Sequence, residues 1–212
     1  MFSGFISPTV QSFYNINAFP VHHYTMHGRL ILIQMETLFE VPARNQVSEA
    51  NQNIFDMLQK SLGFVPNLYA NFAYSEHALP AFLAAQNAKT SLTGKEKEIV
   101  NLIVSQVNNC EYCLAAHSKF AKMNGFNDEQ IMEIRSGRAS FNPKYDALVK
   151  LAKSVAENKG HGDQSIVDNF IANGYSKGSV IDVIFLTGLR IITNYVYAVT
   201  NPPVDFPPVP AL

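Results

Sequence analysis

LTGKEKEIVNLIVSQVNNCEYCLAAHSKFAKMNGF, residues 92–126, reads as two consecutive helices and carries both cysteines of the chain, Cys110 and Cys113. Thr93 and Glu96 form a capping-box pattern that opens the first helix. Its apolar residues, Ile99, Val100, Leu102, Ile103, Val104 and Val107, leave a polar stripe at Glu98, Asn101, Ser105 and Asn108. A narrow solvated face is one reading of that stripe. The other aims Glu98 at the cysteine helix, where a buried carboxylate orients or protonates His117.

Asn108 and Glu111 make a second capping-box pattern, so the cysteine helix is expected to begin beside its cysteines, and Asn124-Gly125 signals its end. Around a helix, Cys110 and Cys113 lie about 60° apart, and Cys113 and His117 about 40°, so all three share one face. The two Cα atoms fall at about 5 Å, inside the disulfide window. A helix N-terminus favours thiolate over thiol, which supplies a reason for reactivity. Three readings stay open at this point: a metal clasp, a redox pair, or packing. A structural zinc site wants four ligands, and only these two cysteines plus histidine or carboxylate are on offer. Covalent haem attachment needs a histidine directly after the second cysteine, where Leu114 stands. Buried, inert cysteines are the bland alternative.

Outward from this pair the chain keeps a helical period. SEANQNIFDMLQKSLG places Ile54, Phe55, Leu58 and Leu62 on one face and stops at Gly63 and Pro66. Two shorter helices follow, broken near His77 to Pro80. Downstream, Asn127 can cap a short helix with acids in its first turn and Arg135 in its last, and Pro143 suits a first helical position. DQSIVDNFIANG makes another short helix. The long segment SKGSVIDVIFLTGLRIITNYVYAVT approaches membrane-spanning length, but Asp182 and Arg190 interrupt it, so a buried central or interface helix is expected. The fold class expected is all-α, a single helical domain over residues 35–212. Residues 1–34, with Arg29 as their only formal charge, lack the pattern of a signal peptide. They are expected to be a disordered leader or an upstream extension ahead of Met35 or Met26. His22, His23 and His27 offer a metal no rigid frame.

The bulk numbers narrow the function classes. The 212 residues are 47% hydrophobic and 16% charged, with a net charge of −1. No basic field exists to hold a phosphate backbone, so nucleic acid is not an expected partner, nor is a membrane. So low a charge fraction suits a surface partly buried against another subunit. Two cysteines in a Cys-x-x-Cys pair, with no export signal, read as catalytic or metal-binding chemistry in a reducing, cytoplasmic compartment.

Residues 92–126 resemble the core of the alkylhydroperoxidase AhpD-like proteins within the carboxymuconolactone decarboxylase family. The match is a glutamate twelve residues before a Cys-x-x-Cys and a histidine four after its second cysteine: Glu98, Cys110, Cys113 and His117. The upstream GFVPNLYANFAYSEHALPAFLAAQNA is also similar to members of this family, and the likeness extends over 47–207. The resemblance implies an all-helical bundle assembled as trimers or hexamers. It implies a peroxidatic Cys113, a resolving Cys110, and a proton relay of His117 and Glu98 acting on a hydroperoxide. No metal or organic cofactor would be bound, and an external dithiol or lipoyl-type partner would supply the electrons. A thiol-disulfide reductase or redox sensor acting on a protein is the alternative on the same residues. The best-studied AhpD type carries a second histidine where Tyr112 stands here. A tyrosine is a poor base near neutral pH, so a shorter relay is expected. Members of the decarboxylating branch generally lack the cysteine pair.

Overall fold

A computed structural model describes residues 23–26, 29–32 and 38–212. The chain divides into two units, 1–37 and 38–212, each described here by itself. In the first, β1 (His23–Met26) and β2 (Arg29–Leu32) pair as an antiparallel hairpin, with His23 opposite Leu32 and Met26 opposite Arg29. These strands fall within the segment expected to be a disordered leader or an upstream extension. The rest of the leader, with the side chains of His22, His23 and His27, lies outside the described residues.

The second unit is all-helical, as the sequence implies. After a 3-10 turn at Arg44–Gln46, α1 (Glu49–Leu62) starts at Ser48, whose side chain accepts from the Asn51 N–H, and ends at Gly63 with φ 85°. Next come α2 (Asn67–Phe72) and α3 (Ala78–Gln86). The break falls at 73–77, slightly earlier than expected. Pro80 sits in the first turn of α3, where a missing N–H costs nothing. α4 (Gly94–Val107) opens with the Thr93–Glu96 capping box, and α5 (Glu111–Met123) carries the cysteines. α6 (Asp128–Arg135) is capped by Asn127, and α7 (Pro143–Glu157) begins on its proline. α8 (Gln164–Ala172) and the long α9 (Lys177–Thr200) complete the set, followed by an extended tail.

Two apolar clusters form the core. One gathers Ile99, Leu102, Ile103, Leu148, Phe170 and Val183 around α4, α7, α8 and α9. The other gathers Phe55, Leu79, Phe82, Cys113, Tyr112 and Phe206 from α1, α3, α5 and the tail. α4 packs against α5, α7 and α9, so it lies between the clusters. α9 is long and apolar enough to cross a membrane by length and composition. Its charges place it in the core instead: Arg190 is buried, and Asp182 accepts from the Ser91 N–H at 2.7 Å. Its outer face exposes Ile181, Phe185, Ile192, Tyr195 and Val199.

The turn between α4 and α5 corrects one expectation. Asn108 does not cap the cysteine helix; it ends α4. Asn109 takes the left-handed conformation with φ 53°, and the Cys110 N–H bonds Ser105 O at 2.9 Å. Together with Asn109 N–H to Gln106 O at 3.2 Å, this is a Schellman closure. Cys110 is then free to be the N-cap of α5, its sulfur accepting from the Cys113 N–H at 3.4 Å. The reason is steric: Asn tolerates left-handed backbone, so one helix can close and the next open within three residues.

Candidate active site

Cys110 and Cys113 are joined as a disulfide, with Cα atoms 5.3 Å apart. Cys110 stands at the cap and Cys113 in the first turn of α5, where unpaired N–H groups favour an anion once the pair is reduced. One turn on, His117 accompanies Cys113 on the wall of a cavity of about 480 Å³. Cys110 does not line that cavity; it is buried behind it.

Glu98 meets His117 across the α4–α5 contact, Oε2 to Nδ1 at 2.7 Å. An ionised carboxylate only accepts, so Nδ1 carries the proton and Nε2 is left as the ring nitrogen for proton exchange. Burial pushes the His117 imidazole below its ordinary value, and the Arg190 charge pushes the same way, against Glu98. The ring is therefore neutral near neutral pH, and the Glu98 contact is a hydrogen bond rather than an ion pair. A neutral imidazole beside a thiol is a proton acceptor in waiting.

The polar stripe of α4 does not face solvent. Asn101 and Ser105 are buried against α9. Arg190 Nε donates to Asn101 Oδ1 at 3.1 Å, and Asn194 joins Asn108 at 2.9 Å and Ser105 at 3.4 Å. Asn101 in turn donates to Glu98 at 3.3 Å. The stripe is thus one side of a buried polar seam that also steadies Glu98.

Tyr112 lines the same cavity, but its hydroxyl is taken up by other partners. Its hydroxyl donates to Asp205 Oδ1 at 2.6 Å and accepts from the Leu68 N–H at 3.2 Å. Burial, then the Asp205 hydrogen bond, pushes the phenol far above its ordinary value. It thereby ties α5 to the tail and to the start of α2.

The structure brings all four predicted residues together, Glu98, Cys110, Cys113 and His117. It adds others that local periodicity did not single out. Arg190 and Thr193 of α9 line the same cavity, with Phe206 of the tail. In the sequence Arg190 is an interruption of an apolar segment; in the fold it is buried, and arginine is rarely fully buried unless paired. Among the described residues, no group of three or more His, Cys, Asp or Glu could hold a metal ion.

Residues 75–153 match the carboxymuconolactone decarboxylase family. No curated protein matches the chain. Among solved structures, an uncharacterized peroxidase-related protein of Ralstonia eutropha JMP134, described as an alkylhydroperoxidase AhpD core, superposes with a TM-score of 0.70 at 19% identity, covering 81% of this chain and 91% of that one. A peroxidase-related protein of Silicibacter sp. TM1040 gives 0.68 at 21% identity, over 82% of this chain and 92% of its own. The debrominase Bmp8 in complex with 2,3,4-tribromopyrrole gives 0.67 at 19% identity, over 81% and 93%. At these identities the likeness establishes a shared fold. The similarity to the carboxymuconolactone decarboxylase family is thus confined to residues 75–153, and the fold is AhpD-like.

Proposed function

We propose that the protein is a thiol-dependent peroxidase that reduces hydroperoxides through a Cys113–Cys110 disulfide cycle. The observation that carries this reading is the disulfide-forming Cys113 on a cavity wall beside a neutral His117 held by Glu98 at 2.7 Å. His117 Nε2 takes the Cys113 proton. The thiolate attacks the peroxide, an S–O bond forms as O–O breaks, and the leaving alkoxide recovers the proton from His117. Cys113 is then a sulfenic acid. The Cys110 thiol attacks it, releasing water and closing the disulfide, and an external dithiol reduces that disulfide while being oxidised itself. No bound cofactor enters any step.

Burial favours this over action on a protein disulfide. Cys113 is 1% exposed and Cys110 2%, so a folded partner's disulfide has no approach, whereas a small peroxide or a slender lipoyl-type arm has the cavity. Its walls include Leu58, Leu68, Leu83, Phe120 and Leu186, which suits apolar hydroperoxides better than hydrogen peroxide. A cycle that needs dithiol suits a reducing, cytoplasmic setting. The exposed apolar stripe of α9 supports assembly of several copies, as trimers or hexamers.

Stopped-flow mixing of the reduced protein with hydrogen, tert-butyl and cumene hydroperoxides tests the reading, with disulfide formation followed by mass. Cys113→Ser should abolish the reaction; turnover retained in that variant would falsify the mechanism. Cys110→Ser should leave a sulfenic acid that dimedone traps, and an untrappable Cys113 would reverse the roles of the pair. Because the debrominase shares the fold, a bromopyrrole belongs in the panel. Turnover of that compound alone would move the reading to reductive dehalogenation on the same cysteines.

A further inference from the structure

Arg190 presents an electrostatic problem. It sits in the middle of α9, 4% exposed, and a buried guanidinium is costly unless its charge is met. Burial holds it below its ordinary value, and the nearby charge of Glu98, which accepts from a neutral His117, offsets that shift only in part. Its other contacts are neutral. Nε donates to Asn101, and Nη1 donates to Thr193 Oγ1 at 3.0 Å. Nη2 makes no hydrogen bond among the described residues, and Arg190 lines the cavity.

Thr193, fully buried, is the link to the reacting sulfur. Its hydroxyl accepts from Arg190 Nη1 and donates to Arg190 O at 2.8 Å, one turn back on its own helix. The same oxygen lies 4.0 Å from Cys113 Sγ. In the disulfide the sulfur is neutral and competes poorly for the hydroxyl proton. After reduction an anion stands there instead. A thiolate is a stronger acceptor than a backbone carbonyl, because hydrogen bonds to charged groups are worth roughly twice neutral ones. The change needs only rotation of the hydroxyl and a small approach of the sulfur.

We infer that Arg190 and Thr193 are positioning residues for the reduced state of Cys113: the guanidinium sets the Thr193 hydroxyl, and the hydroxyl holds the sulfur anion when a dithiol opens the disulfide. The inference rests on the reading of Cys113 as the attacking sulfur. Opening the disulfide oxidises the dithiol and delivers two cysteine thiols; the Cys113 proton passes to His117 Nε2, and the Thr193 proton swings from Arg190 O to Sγ. The arginine therefore gains, beside Glu98, a second negative charge nearby when the disulfide is open. The titratable groups that share the cavity with Cys113 are Lys97 and Glu98 from α4, Tyr112 and His117 from α5, Tyr69 from α2, and Arg190 itself.

The test titrates the Cys113 thiol in the full chain, in a Cys110→Ser background so that a single thiol reports. Iodoacetamide alkylation and ultraviolet thiolate absorbance are followed against pH. Thr193→Val keeps the shape and removes the hydroxyl. It should raise the thiol pKa by about one unit, cutting alkylation about tenfold on the acid side of the titration. Thr193→Ser should restore the parent curve. A merely structural role for Thr193 would lower the melting temperature and leave the titration where it was. A folded Thr193→Val protein with an unmoved titration overturns the inference, whatever its peroxide turnover. Conversely, a titration that moves as expected in a protein that consumes no hydroperoxide leaves the inference standing and removes the peroxidase reading.

Discussion

At the scale of single residues, Tyr112 shows how position can mislead. Standing between the two cysteines, it occupies the place where the resemblance suggests a second relay histidine. Its hydroxyl is spent on Asp205 and Leu68 instead, and its phenol is too weak an acid to move protons. Tyr112→Phe should therefore lower stability by about 1–2 kcal/mol, the range for a buried hydrogen bond lost with a partner left behind. Peroxide reactivity of the reduced protein should be kept. Chemical denaturation and stopped-flow rates on the same sample decide it; a slowed reaction at unchanged stability would return Tyr112 to the relay. Of the four residues legible in the sequence, Cys110, Cys113 and His117 lie at the start of α5, where spacing fixes the shared face, whereas the aim of Glu98 from α4 stayed open between two readings. Thr193 and Asp205 were not legible because they meet Cys113 and Tyr112 across 80 and 93 residues. No local period encodes a contact at that range.

Among the elements, α4 repays the closest reading. Its capping box was visible as a local pattern, but the carboxylate of Glu96 does more than close a cap. Oε2 accepts from the Thr93 N–H at 2.8 Å and its hydroxyl at 2.9 Å. Oε1 accepts from the Tyr175 hydroxyl at 2.9 Å and faces Lys144 Nζ at 3.2 Å. One buried side chain thus ties α4 to α7 and to the turn before α9. Thr93→Ala should cost about 1 kcal/mol, as an ordinary cap does. Glu96→Ala should cost about 3 kcal/mol, since it also strands buried donors. Urea midpoints measure both, and equal losses would reduce Glu96 to a cap. The α4–α5 turn teaches a related lesson. The sequence marked where α5 begins but assigned its cap to Asn108, since nothing local distinguishes an N-cap from a residue already used to end the previous helix. Only the left-handed Asn109 settles which is which.

At the scale of the molecule, the all-α architecture was legible throughout 38–212 because caps, glycine stops and apolar periods agree helix by helix. The hairpin at 23–26 and 29–32 was not, since its residues carry no strong turn signal. The outer face of α9 matters most here. Ile181, Phe185, Gly188, Ile192, Tyr195 and Val199 follow alternating steps of four and three, a seam suited to another helix. Gly188 leaves open space at its centre, where a second backbone can approach closely. Phe185→Glu with Ile192→Glu should shift the protein to a smaller species in light scattering. A wild-type protein already monomeric at high concentration would remove the seam's role.

The tail that carries Asp205 and Phe206 also sets an order of events during biosynthesis. Tyr112 leaves the ribosome before Asp205 is made, and the two are 93 residues apart. At the usual pace of elongation that interval is roughly 5–20 s. Throughout it the nascent chain carries two cysteines without the tail to wall them in, and for most of it without α9 as well. The newborn chain therefore passes through a period when its thiols are open to any oxidant or foreign thiol, which ends when α9 and Phe206 arrive to complete the cavity wall.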